Sequence, residues 1–179
     1  LVYVDASEGC INTAESTGQS GLIPAFITAT GGTITCSGDY KIHTFTGPGT
    51  FCVSAGGNVA GSNTVDYLVI AGGGGGGSTH GGGGGAGGYR ESSGTASGCY
   101  TASPLGACVS ALPVSVQGYP IVVGGGGAFS PSPGGLKGVS GSDSSFSIRT
   151  ATGGGGGARG CSDTRMDGLP GGSGSGSAT

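Results

Sequence analysis

Few side chains in this sequence could carry chemistry. The candidates are two histidines, His43 in YKIHTFT and His80 in GGSTHGG, two carboxylates four positions apart, Asp163 and Asp167, and six cysteines. There is also an apolar strand that runs straight into glycine, VDYLVIAGGGGGGSTHGGGGGAGGYR, at 65–90. A histidine acts as a general base or a metal ligand only when a nucleophile, a carboxylate or a second ligand lies within reach. The two histidines are isolated from each other, and both read as surface or hydrogen-bonding residues. Asp163 and Asp167 flank Met166 in a turn-rich stretch and make a poor cage for calcium, which takes about six to eight oxygens. With Asp39 at a hairpin they read as turn formers. No catalytic residue, cofactor or metal is expected, and the chain reads as a non-enzyme.

The glycine run superficially matches the dinucleotide fingerprint GxGxxG. That fingerprint works when a helix opens at once, so that its first amides meet the pyrophosphate, with an acidic residue about 20 positions on. After Gly77 come Ser78, Thr79, His80 and five more glycines. No helix starts in such a stretch and no Walker lysine follows, so nucleotide binding is set aside.

The cysteines Cys10, Cys36, Cys52, Cys99, Cys108 and Cys161 sit in no CxxC or histidine-paired spacing that suggests zinc. Disulfides formed outside the cell are the better reading. Many connectivities are open. The favoured one joins Cys36 to Cys52, because the YKIHTFT strand lies between theirs and the two would face each other across a folded meander. Cys99 with Cys108 would close a local loop, leaving Cys10 for Cys161.

Composition narrows the function further. Of 179 residues 47 are Gly, charged residues are only 8%, aromatic residues 6%, and Trp is absent. So little charge rules out an extended polyelectrolyte. Net charge is −3 with six Lys+Arg, so no basic patch can neutralise a row of phosphates and nucleic acid is not an expected partner. The longest apolar stretches, 67–71 and 119–123, are about a quarter of a bilayer span, and no membrane insertion is expected. The start at Leu1 and the GGSGSGSAT end both read as cuts. No Asn-x-Ser/Thr sequon occurs at Asn12, Asn58 or Asn63, so a glycan would have to be O-linked.

The elements that must position these residues are strands. LVYV and AFITA read as short strands, and TITC, YKIHTFT and TFCVS, separated by Ser-Gly-Asp and Gly-Pro-Gly, read as an antiparallel meander. TVDYLVIA follows as a strand buried on both faces. No window carries a helical apolar stripe, and little or no helix is expected. A β-rich run then feeds a glycine run three times, at Tyr67, Tyr119 and Phe146. The expected division is a β-strand region at 1–71 and a glycine-rich region at 72–179 with connecting loops 89–118 and 128–145, packed as one unit.

A glycine run can be a flexible linker or a packed structure. Linkers alternate with Ser and join separate domains, whereas these runs are continuous with apolar strands. In the polyproline-II conformation a chain turns every three residues and makes no hydrogen bonds within itself, so every N–H and C=O needs an outside partner. Neighbouring backbones supply those partners where no side chain stands between them. A segment surrounded on all sides then needs Gly at every position, and an edge segment needs it only on its packed faces. Gly72, Gly75, Gly77, Gly83, Gly85, Gly125 and Gly155 are expected in such a polyglycine core, while GGSGSGS fits a segment with an open face. The expected fold class is all-β, an antiparallel β meander or sandwich followed by a packed bundle of polyglycine-II helices.

The run from GDYKIHTFTGPGTFCVS through YLVIAGGGGGGSTHGGGGGAGGYR, with YPIVVGGGGA, SSFSIRTATGGGGG and PGGSGSGS, resembles the glycine-rich domain of tail fibres and other structural proteins of tailed phages, cyanophages and marine phages among them. The resemblance covers about 31–177. It implies a sandwich of polyglycine-II helices whose tip loops touch a host surface. The family typically carries Thr or Ser at Cys36 and Cys52, and this departure shifts weight toward a secreted filament subunit. Two functions are carried forward. One is a self-associating subunit of an extracellular fibre or virion tail fibre, whose partner is itself. The other is an adhesin tip that recognises a host glycan or protein, with Tyr89 and Tyr100 as candidates for stacking on sugars. Tyr67 and Tyr119 read with them as covers for the ends of the glycine stack. An ice-binding role is a third option, disfavoured by the irregular connectors.

Overall fold

The computed structural model of the protein describes residues 2–6, 24–38, 40–92, 110–131, 136–160 and 167–177. The described residues contain no helix. The chain is all-β, with strands β1 (Val2–Ala6), β2 (Thr28–Thr30), β3 (Thr33–Ser37), β4 (Tyr40–Thr44), β5 (Gly49–Ala55), β6 (Thr64–Ile70), β7 (Tyr89–Glu91), β8 (Leu112–Pro113), β9 (Gly118–Val122), β10 (Ser144–Phe146) and β11 (Arg149–Ala151). Two compact units are built from interleaved parts of the sequence. Unit 1 is Leu1–Leu68 with Glu91–Pro120, and unit 2 is Val69–Arg90 with Ile121–Thr179. The chain thus passes from one to the other close to the expected boundary at 71/72, but it then returns for residues 91–120, which a linear division does not contain.

In unit 1 one sheet runs in the order β3-β4-β1-β6, with β8 also on β6. Antiparallel registers include Ile34↔His43, Val4↔Ile42 and Tyr3↔Tyr67. The meander expected of three successive strands stops after two, because β5 pairs β2 instead of β4, through Ala29↔Val53 and Thr30↔Cys52. The physical cause is at the joint. Gly31 and Gly32 hold φ of +111° and +65°, and a Cβ at Gly32 would come 2.6 Å from the Thr44 carbonyl oxygen. That left-handed pair turns the chain from β2 into β3, so the two strands join different sheets. Beneath the turn Phe45 and Phe51 are buried with Ile27, Val53, Val65, Leu112 and Tyr119, an ordinary side-chain core. The loop after β5 is pinned by Asn58, whose Oδ1 accepts from the amides of Ala25, Ala60 and Gly61.

Unit 2 has little such core. Among its described residues Val69, Ala71, Ile121, Phe146, Ala151 and Ala158 are the buried apolar ones, and its sheet is small, with β10 between Ile121–Val122 of β9 and β11. The rest is a set of extended segments lying side by side: 71–78, 81–88, 124–130, 136–142, 152–160, 168–172 and 173–176.

Candidate functional site

The feature that sets this chain apart is how those segments bond. From Ala71 onward every third amide of segment 71–78 donates to segment 81–88: Ala71 to Gly88 O, Gly74 to Gly85 O and Gly77 to Gly82 O, at 2.8 to 3.0 Å. One position later, Gly72, Gly75 and Ser78 donate to Ser142, Val139 and Leu136. The carbonyls of Gly72, Gly75 and Ser78 accept from Gly154, Gly157 and Gly160, and those of Gly73 and Gly76 from Gly127 and Ser130. One segment is therefore tied to four neighbours, two antiparallel and two parallel. Each tie recurs after three residues.

Segment 152–160 lies deepest. A Cβ would fall on Gly141 O at Gly153, on Gly85 O at Gly154, on Leu169 O at Gly155, on Gly138 O at Gly156 and on Gly82 O at Gly157. Three successive positions face three different neighbours, and the fourth faces the first again. All five glycines are buried. None of these five positions takes a side chain without pushing two backbones apart.

The expected core glycines divide on this basis. A Cβ at Gly72 meets Gly125 O, at Gly75 Ala128 O, at Gly77 Ala158 O, at Gly85 Ser173 O and at Gly155 Leu169 O. Gly83 and Gly125 differ, since a Cβ at either meets nothing within 4 Å. Their tracts are unbroken in sequence yet present one column to open space, and Ala86 and Ala128, three residues on, occupy the same columns. Gly73 and Gly76 have only loose neighbours, at 3.6 and 3.9 Å.

Several fixing residues carry no obvious mark in the sequence. Segment 136–142 holds Gly138 and Gly141, three apart, on the side facing Gly75 and Gly72, and that G-x-x-G spacing is the signal that identifies an edge segment. Side chains cap leftover amides: Asp143 Oδ1 accepts from Gly153 at 2.8 Å, Ser144 Oγ from Gly124 at 2.9 Å and Ser140 Oγ from Gly156 at 3.3 Å. Ser78 Oγ bonds both backbone groups of Leu136. The reversal at Ser78-Thr79-His80 takes Thr79 and His80 to φ of 52° and 58°, so His80 is a turn residue. In unit 1, Ser92 Oγ donates to Asp66 Oδ1 at 2.6 Å and accepts from the Tyr67 amide, while the Ser92 amide donates to Tyr67 O. This buried clasp sits where the chain leaves unit 1 after Leu68 and returns at Glu91.

The remaining candidates fall as follows. His43 is fully buried, its Nδ1 is 2.8 Å from Gly31 O, and its ring stands edge-on to Phe51. Burial pushes its pKa below the usual 6.5, and nearby Lys41 adds to the effect against the bond to Gly31. Tyr67 and Tyr119 are buried core residues, whereas Tyr89 is 44% exposed in β7. Cys36 is disulfide-bonded, but Cys52 is a free, exposed thiol, so the expected Cys36–Cys52 bridge is not formed. Their strands β3 and β5 belong to different sheets, and the partner of Cys36 lies outside the described residues. Cys10, Cys99, Cys108, Cys161, Tyr100, Asp39 and Asp163 are also outside them. Of the expected loops, the described parts of 89–118 are largely strand and core of unit 1, and 128–145 supplies packed segments of unit 2.

An all-β fold with a glycine core bonded backbone to backbone defines a class in which composition is the architecture. The family model of the glycine-rich domain matches residues 46–179, and the chain belongs to that family. Searches among curated proteins and among solved structures found no match.

Proposed function

We propose that this chain is a non-enzymatic structural module of an extracellular fibre, of phage tail-fibre type, and that its glycine segments are polyglycine-II helices packed as a bundle. The observation that carries the second part is the three-residue recurrence of bonds and close approaches, since three residues per turn is the period of that helix. A bundle held by backbone bonds is stiff and presents repeated surfaces, which suits a load-bearing shaft better than an active site. Self-association is the expected activity, and the partner is a second copy.

The test is assembly. Purified protein should form filaments or oligomers in sedimentation and negative-stain microscopy as concentration rises, and Gly75→Val, which drives a side chain into the Ala128 carbonyl, should abolish them. A parent protein that stays monomeric throughout, or a Gly75→Val variant that assembles and melts like the parent, rejects the reading.

One observation favours the adhesin alternative. Phe129 and Leu136 are 72% and 60% exposed on segments that bond to Gly76 and Ser78, beside the Thr79-His80 reversal. Exposed large side chains around a rigid turn are what a recognition tip presents. Cell or glycan binding by a strictly monomeric protein, lost in Phe129→Ala, would favour that role.

A further inference from the structure

We infer that the outer face of segments 124–130, 71–78 and 81–88 binds an extended glycine-rich segment of a partner protein; this rests on the polyglycine-II reading above. Three residues per turn set successive backbone groups about 120° apart. Segment 71–78 sends the amides of Ala71, Gly74 and Gly77 to segment 81–88 and those of Gly72, Gly75 and Ser78 to segment 136–142. The amides of Gly73 and Gly76 are left to point along the third direction. Likewise the carbonyls of Gly72 and Gly75 go to segment 152–160 and those of Gly73 and Gly76 to segment 124–130, which leaves the carbonyls of Ala71, Gly74 and Gly77. None of these leftover groups is bonded. The same count on the flanking segments turns the amides of Gly84 and Gly87 and the carbonyls of Gly124 and Gly127 to the same side, also unbonded.

Two vacant lanes result, one between 71–78 and 81–88 and one between 71–78 and 124–130. Each has carbonyls on one wall and amides on the other, repeating about every 9 Å. Gly73, Gly84 and Gly126 are exposed, and no cysteine lies in 71–88 or 124–130 to tie another segment over them. The far side of the bundle is finished differently. There the outward amides of Gly153 and Gly156 are taken by Asp143 Oδ1 and Ser140 Oγ, whereas no side chain caps the rows on 71–78. The lanes also select their occupant. A β-strand repeats every two residues and falls out of step, and side chains on the facing columns would hold a chain off. A second copy does not complete them. A two-fold axis along the segments sets carbonyls against carbonyls, one across them stacks ridge on ridge, and the copy's own glycine runs are bonded inside its bundle. What fits is a segment with Gly at two of every three positions, donating to one wall, accepting from the other and turning its third column to water.

The probe is a synthetic Gly-Gly-Ser repeat peptide of twelve residues, with a Gly-Val-Ser repeat as its control. In the protein alone the amides of Gly73, Gly76, Gly84 and Gly87 should exchange freely, and the Gly-Gly-Ser peptide should protect them while the control does not. A Cβ at Gly73 lies 3.6 Å from Gly85 O, and one at Gly126 3.6 Å from Gly73 O, both ordinary contacts. Gly73→Val with Gly126→Val should therefore keep the parent's melting temperature, fill both lanes and weaken peptide binding about tenfold or more. Gly83→Val, in the open column that Ala86 already occupies and that faces away from the lanes, should bind like the parent. A peptide that leaves the Gly73 and Gly84 amides unchanged, equal binding of the control peptide, or full binding by the double variant overturns the lanes. Free exchange at Gly72, Gly75 and Gly154 in the parent would instead remove the bundle reading on which they rest.

Discussion

The two units reach stability by opposite routes. In unit 1, Ile27, Phe45, Phe51, Val53 and Val65 fill a core with side chains, and strands supply the backbone bonds. In unit 2 the backbones themselves fill the interior around Gly153–Gly157. A side-chain core tolerates a modest change of volume by repacking, whereas a backbone core has no side chains to move. The same substitution, a few added or removed carbons, should therefore act very differently in the two.

The sharpest way to break the comparison is Gly156→Val, which sets a side chain against Gly138 O in the most enclosed segment. It parts two chains and strands several buried amides, a loss of about 4 kcal/mol or more. Amide exchange across 71–88 and 152–160 should approach the rate of an unfolded chain. Phe51→Ala is the counterpart in unit 1 and should cost about 3–5 kcal/mol, measured by denaturant titration, since it leaves a cavity in an intact scaffold. Ser92→Ala breaks the clasp on Asp66 and should cost about 1–3 kcal/mol, because the carboxylate stays buried after losing a bond.

A pH titration separates the units without mutation. The His43 pKa is lowered in the fold, so its neutral form is favoured there and the unfolded chain takes up the proton first as pH falls. Stability from this group is complete above pH 6.5 and declines below it. The loss should register in unit 1 probes and vanish in His43→Gln. Smallest of all, Gly83→Ala should shift the melting temperature little, because its Cβ enters open space. A Gly83→Ala variant as damaged as Gly156→Val would show that the column at Gly83 is closed by something besides this chain's described residues.

Much of the architecture can be read from the chain. TITC, YKIHTFT, TFCVS and TVDYLVIA became β3 to β6 because β-branched runs between glycine turns leave little choice. Their partners were not legible, since pairing is non-local: nothing in TFCVS says that it will join Thr28–Thr30 instead of Tyr40–Thr44. Among the glycines, an unbroken run announces close packing but hides which column is open, because glycine carries no side chain to mark a face. Reading in triplets recovers part of this: Ala86 and Ala128 lie three past the open Gly83 and Gly125. The same rule misreads Ala158, three past the enclosed Gly155, whose side chain is fully buried.

The central position of segment 152–160 has a consequence for how the molecule is made. Its amides and carbonyls bond to Gly72, Gly75 and Gly85, synthesised long before it, and to Leu169, Gly172 and Gly176, which follow it. A growing chain therefore holds its first glycine runs with only part of their partners until the keystone emerges and the later segments close over it. With nearly every tie spanning a long stretch of chain, loop closure precedes any reward, and folding of this unit should be slow and all at once. Yield in a cell would then be governed by the rate of that single late event more than by the depth of the final well.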